Sequence, residues 1–389
     1  MHGKIQRDSL IREIRERIDY FPALALLGAR QVGKTTLARD FASQFEGEVV
    51  FYDLERPADR EALSADPHRI LSEQTGLVVL DEVQRLPELF ALLRPILDEP
   101  KRTARFLLLG SASWDLIRGV SETLAGRMTF LDISGFSLGT TGPDSQSDLW
   151  LKGGFPKAFL APDMKLWQLW MESFTRTFLE RDLPGIGSKI GPEALGRFWR
   201  MLAHFHGQTW NAKELAKSMD VSHPTVTRYR DLLAGTFMIR VLPPWLENLG
   251  KRLVKSPKVY LRDSGILHHL LGIQSHHQLH THPRYGASWE GFALEQVLLT
   301  FGDRNAYFYA TQNGAELDLF LLHEGQRIGF EFKCTDAPKT TKSMHTTFGD
   351  LKLDHLFVVY PGRKKFPMNK DMTALPLIDL PNLEISGKR

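Results

Sequence analysis

The run from Phe21 to Leu37 constrains this chain most: an apolar stretch, Ala23-Leu24-Ala25-Leu26-Leu27, opens into Gly28-Ala29-Arg30-Gln31-Val32-Gly33-Lys34-Thr35. This is the complete G-x-x-x-x-G-K-[ST] pattern, with a buried-type strand before it and helical spacing after it, the setting a phosphate-binding loop requires. Gly28 and Gly33 free the backbone, so that successive N–H groups across Arg30, Gln31 and Val32 can point at phosphate oxygens. Lys34 adds a mobile positive charge for β- and γ-phosphates, and the Thr35 hydroxyl is a natural Mg²⁺ ligand. A helix beginning at about Thr36 brings its positive dipole end to the anion. The competing reading, an ordinary glycine-rich turn, does not explain the strand-to-helix junction.

Downstream, short apolar strands alternate with helical spacing, which predicts a parallel sheet with crossover helices. Leu77-Val78-Val79-Leu80 is a continuous apolar run of the kind a strand covered on both faces needs, and it ends in Asp81-Glu82. Asp81 can orient a Mg²⁺ shell, and Glu82 beside it can polarise the attacking water of an in-line phosphoryl transfer. The next strand, Arg105 to Gly110, ends in Ser111 at the same edge, placed to sense the γ-phosphate or to serve as a strand-end turn. Arg127, after Leu124-Ala125-Gly126, is the candidate transition-state arginine, in cis or on a neighbouring subunit.

A chain of 389 residues is too long for one core and implies two or three domains. Forty-nine Lys plus Arg against forty-six Asp plus Glu permit nucleic-acid binding without predicting it. The lone Cys334 excludes an internal disulfide framework and any multi-Cys zinc site, which fits a reducing cytoplasm. The N-terminus reads as a charged amphipathic helix (Leu10, Ile11, Ile14, Ile18) and has no signal-peptide core. No stretch approaches the roughly twenty apolar residues needed to span a bilayer. A soluble cytoplasmic protein is therefore expected.

Turn formers from Ser137 to Asp148 end the first sheet, and Leu166 to Leu183 reads as a helical lid on it, with Trp167, Trp170, Phe174 and Phe178 in one core stripe. From Phe198 to Leu242 the pattern is that of a winged helix-turn-helix, with Asn211 and Ser222 as helix caps. Its third helix turns Thr225, Thr227, Arg228 and Arg230 outward, residue types suited to a DNA major groove. Rigid joining of two domains is the alternative use. Lys251, Arg252, Lys255, Lys258 and Arg262 extend a basic run beyond it.

In the C-terminal part, a helix starting near Gly286 carries Glu290 and Glu295, and two strands follow with Asp318 on one and Glu331 and Lys333 on the next. Residues two apart on a strand share a face, so Glu331 and Lys333 point together and a hairpin brings Asp318 beside them. This is a restriction-endonuclease-type constellation. Asp318 and Glu331 would bind Mg²⁺, Lys333 would orient the water, and Glu290 or Glu295 would complete the metal shell.

With these residues located, the chain resembles a prokaryotic family of AAA-superfamily ATPases whose members carry a C-terminal domain of unknown function with a restriction-endonuclease-like core. The likeness rests on the Arg30–Thr35 loop, Gly110-Ser111, the Leu124–Arg127 stretch, the Lys255–Asp263 element and the Asp318–Lys333 hairpin. It implies an α/β fold with an extra strand between the loop-bearing strand and the Asp81 strand, and ATP as cofactor, beside the Mg expected from Thr35 and Asp81. The expected domains are an ATPase core (1–140), a helical lid (141–190), a winged helix (191–250) and the nuclease-like domain (251–389). Two outputs are open: nucleotide-controlled DNA binding with cleavage, or binding of DNA or a protein partner without it. A homo-oligomer is compatible with both.

Overall fold

The structure, a computed structural model, describes residues 5–100, 103–111, 124, 126–185, 188–247 and 252–385. Ala125 of the Leu124–Arg127 stretch and Lys251 of the basic run lie outside the described residues. The chain divides into two compact units. The first comprises Met1–Gly135 with Leu183–Ser188 and Gly235–Phe237, and the second comprises Phe136–Asp182, Lys189–Ala234 and Met238–Arg389.

The first unit is built on five parallel strands, β1 (Ala23–Leu27), β2 (Val49–Asp53), β3 (Leu77–Asp81), β4 (Arg105–Gly110) and β5 (Met128–Asp132), in the order β2-β3-β4-β1-β5. The strand β4 separates β1 from β3, as the resemblance implies. Every residue of β1 and β3 is buried, which is why both read as unbroken apolar runs. In-register pairing of Leu27 with Gly110 and of Leu80 with Leu108 brings the carboxyl ends together at one edge. The N-terminal helix, Asp8–Tyr20, buries Ile11, Ile14 and Ile18, a stripe at helical spacing. Each such side chain contributes roughly 1.5–3 kcal/mol by leaving water.

The second unit contains two sheets. The helices Pro192–His204, Ala212–Met219 and His223–Gly235 accompany a three-stranded sheet, β6 (Gln208–Thr209), β7 (Ile239–Leu242) and β8 (Lys258–Leu261), in the order β6-β8-β7. Asn211 and Ser222 accept hydrogen bonds from Glu214 N and Thr225 N, as their capping role predicts. The boundary expected at 250 falls inside this element, because β8 pairs antiparallel with both β6 and β7. The second sheet has six strands: β9 (Ala306–Ala310), β10 (Glu316–His323), β11 (Gln326–Phe332), β12 (His355–Tyr360), β13 (Phe366–Pro367) and β14 (Met372–Pro376). Their order is β13-β14-β12-β11-β10-β9, with the Tyr285–Phe301 helix preceding it in the chain.

The helical segment expected to cover the first sheet belongs to this second unit. Its aromatics explain the difference: Trp150 packs edge-on to Trp289, 5.1 Å between centroids, and stacks on Phe292 at 6.3 Å. The Trp170, Phe174 and Phe178 stripe is stacked at 5.0 and 6.2 Å. A glycine is needed at 153, where φ is +81° and an added Cβ would lie 2.3 Å from the Asp263 carboxylate. That carboxylate receives Gly154 N at 2.7 Å and caps the Ser264–Leu270 helix through Ile266 N at 2.9 Å. Among the described residues no helix is long and apolar enough to cross a membrane.

Two buried histidines of this unit, His206 and His268, make its stability acid-sensitive. The His268 ring contacts Leu151 O through Nδ1 at 2.9 Å and Ser288 Oγ through Nε2 at 2.7 Å, while Ser288 accepts from Trp150 Nε1 at 2.9 Å. The arrangement suits the neutral ring, with Nδ1–H donating and Nε2 accepting. Burial pushes His268 down to about 4, with Leu151 opposing and the charges of His282 and His276 assisting. A histidine whose folded pKa lies below about 6.5 is held neutral by the fold, so its contribution is complete above that pH and is lost as pH falls towards the folded value. The expected loss by pH 5 is about 2 kcal/mol. Urea midpoints at pH 7 and pH 5 measure it, and His268→Gln should remove about 2 kcal/mol of the difference, leaving the part due to His206, which burial pushes down to about 3; an unchanged slope in that variant would refute the assignment.

Candidate functional site

At the carboxyl edge of the first sheet, the turn from Gly28 to Gly33 joins β1 to the helix Lys34–Ala42. An added Cβ at Gly28 would sit 2.0 Å from the Ile133 carbonyl oxygen, so only glycine lets the loop begin this close to the chain beyond β5. Gln31 and Gly33 adopt φ of 65° and 94°, which curls the backbone around the helix start. Lys34 Nζ donates to Gly28 O and Ala29 O, both at 2.9 Å, so the ammonium closes the loop on itself. Burial pushes this lysine down to about 8, while Glu82 and Asp81 hold it up. Val32 is buried and Thr36 is exposed on the first helical turn. Arg30 points to Glu55, with Nη2 to Oε1 at 2.6 Å.

Thr35 Oγ1 donates to Asp81 Oδ2 at 2.7 Å, bringing the loop hydroxyl to the end of β3. A hydroxyl and a carboxylate side by side are the hard oxygen donors that Mg²⁺ takes, so this pair fits the ion. Burial raises the Asp81 carboxyl, against the hydrogen bond from Thr35. Glu82, next in the chain, sits in the left-handed region at φ 56° and ψ 46°. For a residue with a Cβ this conformation costs roughly 1–2 kcal/mol, and such strain collects at functional sites. Gln84 Nε2 donates to Glu82 Oε2 and, at 2.8 Å, to Ser111 Oγ, which lies 3.3 Å from the same carboxylate oxygen. The five residues Lys34, Thr35, Asp81, Glu82 and Ser111 are thus gathered as the sequence suggests.

Arg127 is engaged by an acid of its own unit. Its Nε and Nη2 donate to the two oxygens of Asp98 at 2.5 and 2.8 Å, a two-pronged pair in which the guanidinium fork matches the carboxylate. Two residues of this site carry no motif signal. Gln84 holds Glu82 and Ser111 in register, and its own Oε1 is buried without a hydrogen-bond partner. Arg7 is 8% exposed and donates to Val32 O and Ser134 O, both at 3.0 Å, tying the start of the N-terminal helix to the loop. Only its place just before an amphipathic helix hints at it in the sequence.

In the second unit, Phe332 N donates to Asp318 Oδ2 at 3.0 Å and Lys333 Nζ to Glu331 Oε1 at 2.7 Å, so the hairpin β10–β11 brings the expected residues together. Glu290 joins them, and Glu295 does not: its carboxylate is paired with Arg240. The metal shell expected from Glu290, Asp318 and Glu331 is not formed. Among the described residues no group of three or more His, Cys, Asp or Glu side chains is arranged to hold a metal ion. Lys258 Nζ stands 2.5 Å from Glu316 Oε1, 3.3 Å from Glu290 Oε1 and 3.6 Å from Asp318 Oδ1. Burial, then the charge of Asp318, raises the Glu290 and Glu331 carboxyls, and Glu331 Oε2 is buried without a hydrogen-bond partner.

Of the four residues assigned to a groove, Arg228 is exposed and Thr227 half-buried. Thr225 Oγ1 is engaged with Ser222 Oγ at 2.8 Å in the helix cap. Arg230 lies over the Trp210 ring at 5.1 Å and pairs with Asp231 at 2.7 Å, so it faces its own unit.

Comparison with known families matches an AAA domain at residues 20–141 and two domains of unknown function, DUF8612 at 143–277 and DUF4143 at 285–380. Over 372 residues the chain is 43% identical to the uncharacterized protein Rv2008c of Mycobacterium tuberculosis and to the uncharacterized protein Mb2031c of Mycobacterium bovis, covering 96% of this chain and 84% of each relative. Among solved structures, a Walker-type ATPase of Pyrococcus abyssi is 15% identical, with a TM-score of 0.47 over 69% of this chain and 96% of that one.

Proposed function

Because the chain belongs to a family of AAA-domain P-loop ATPases that also carry a C-terminal domain of unknown function, we propose that it binds and hydrolyses ATP and that its nucleotide state controls engagement of DNA by the second unit. The observation that carries the ATPase half is the convergence of Lys34, Thr35, Asp81 and Glu82 at one sheet edge. Lys34 leaves the carbonyls of Gly28 and Ala29 for the β- and γ-phosphates, exchanging two neutral acceptors for a charged one. Thr35 and Asp81 would hold Mg²⁺, which when bound would supply neutralisation of phosphate charge. Glu82 takes the proton of the attacking water, and Gln84 with Ser111 fixes where its carboxylate points.

Lys34→Ala is expected to weaken ATP binding about 10–100-fold, since a charge-assisted contact is worth roughly 1.5–3 kcal/mol. Titration with a fluorescent ATP analogue measures it; affinity equal to the parent's would remove Lys34 from the site.

The DNA half is supported by the winged-helix-like order of three helices and a three-stranded sheet, with Arg228 exposed on the third helix. Duplex affinity should fall linearly on a log–log salt plot, and Arg228→Ala should reduce the slope by about 1. Affinity indifferent to salt would sink the DNA reading while leaving the ATPase intact. A cleaving version is favoured by one feature, Lys333 set against Glu331 with Asp318 alongside. Equal plasmid background with Mn²⁺ for the parent, Asp318→Ala and Lys333→Ala would remove it.

A further inference from the structure

The carboxylates of the second unit are organised around a lysine that the ATPase chemistry does not use. Lys258 is the first residue of β8, where it pairs with Thr209 on one side and Leu242 on the other, so its backbone is fixed between two strands. Its side chain leaves that sheet and is 5% exposed. The ammonium reaches Glu316 and Asp318 on β10 and Glu290 on the Tyr285–Phe301 helix. Tyr260, two residues on and therefore on the same face of β8, donates to Glu290 Oε1 at 2.7 Å. The aromatic face of Phe308 lies 5.7 Å from the ammonium.

A nuclease-type hairpin needs its carboxylates free to take a hard divalent ion at about 2.0–2.6 Å. Here the same oxygens converge on a tetrahedral ammonium. Burying several carboxylates together calls for opposite charge among them, and Lys258 supplies it for Glu290, Glu316 and Asp318 as Lys333 does for Glu331. A divalent ion entering this cluster would meet a buried positive charge already in place.

We propose that Lys258 is the resident cation of this cluster, seated where a divalent ion would bind, so that the second unit keeps its carboxylates without metal and engages its partner without cutting it. Glu331, whose Oε1 is held by Lys333, keeps its Oε2 buried without a hydrogen-bond partner beside this cluster.

The test is Mn²⁺ titration, followed by the paramagnetic signal of the free ion, on the nucleotide-free full chain. The variants are the parent, Asp318→Asn, Lys258→Met and the double variant. The P-loop background is common to all four, so it cancels. The parent and Asp318→Asn should bind Mn²⁺ alike. Lys258→Met should gain one site, at least tenfold tighter than any in the parent, and the double variant should lose it. A parent site abolished by Asp318→Asn overturns the proposal, because a metal then sits beside an intact Lys258. So does a folded Lys258→Met that gains no site. Should that variant fail to fold, Lys258→Gln replaces it, and the parent against Asp318→Asn still decides. None of these readings depends on ATP turnover or DNA affinity.

Discussion

Glu82→Gln is expected to keep ATP affinity within about twofold of the parent and to lower turnover on the order of 10²–10³-fold. The substitution preserves shape and a hydrogen-bonding oxygen for Gln84, and removes only the charge that accepts a proton from water. Its effect is thus confined to the chemical step. Phosphate release under saturating ATP, alongside analogue binding, separates the two quantities. Parental turnover in Glu82→Gln would show that another group activates the water. The backbone at Glu82 sets where its carboxylate lies. Its left-handed backbone turns the chain into the Val83–Arg85 turn and carries Gln84 back over the carboxylate.

The second large effect concerns the fold of the second unit. Arg240 on β7 spans to Glu295, through Nε and through Nη2 at 3.0 Å, and to Asp303 through Nη1 at 2.8 Å. The Arg240 and Glu295 side chains are 10% and 6% exposed, so Arg240→Met leaves a buried carboxylate with Arg262, 3.6 Å away, to answer it among the described residues. Removing one partner of a buried pair costs about 3–5 kcal/mol, and the remaining arginine places the expectation near the lower figure. For a unit of this size that is a fall of roughly 6–12 °C in Tm. Arg240→Met with Glu295→Met should recover part of the loss, since no charge is then stranded. A single variant as stable as the parent would contradict the pairing.

The first unit could be read almost completely from the sequence, for a physical reason. Its chemistry lies in contiguous stretches, Gly28–Thr35 and Asp81-Glu82, each hung on a strand whose burial on both faces writes an unbroken apolar run. Gln84 escaped because a glutamine two residues past an acid has no pattern of its own. The pairing of Arg127 could not be read, because the sequence does not say which way a long cation turns, and Asp98 sits 29 positions away. In the second unit the hairpin could be read, because residues two apart on a strand share a face. The ion seated in it could not. Lys258 meets Glu290 32 positions on and belongs by sequence to what looked like a basic run. Glu290 and Glu295, five apart on one helix, were equivalent until Lys258 and Arg240 each took one. That the helical segment belongs to the second unit is hidden for the same reason: Trp150 finds Trp289 and Phe292 far along the chain.

The Arg7 clamp fixes something beyond its two hydrogen bonds. Arg7 precedes the first helical turn, and Ile11, Ile14 and Ile18 follow on the buried stripe, so guanidinium and stripe share one rotational setting. Inserting or deleting a single residue between them would turn one against the other by about 100°. Either the isoleucines stay inside and Arg7 leaves Val32, or Arg7 stays and the stripe faces water. The spacing between the chain's first described turn and its phosphate loop is therefore a counted quantity, much like the spacing inside the loop itself.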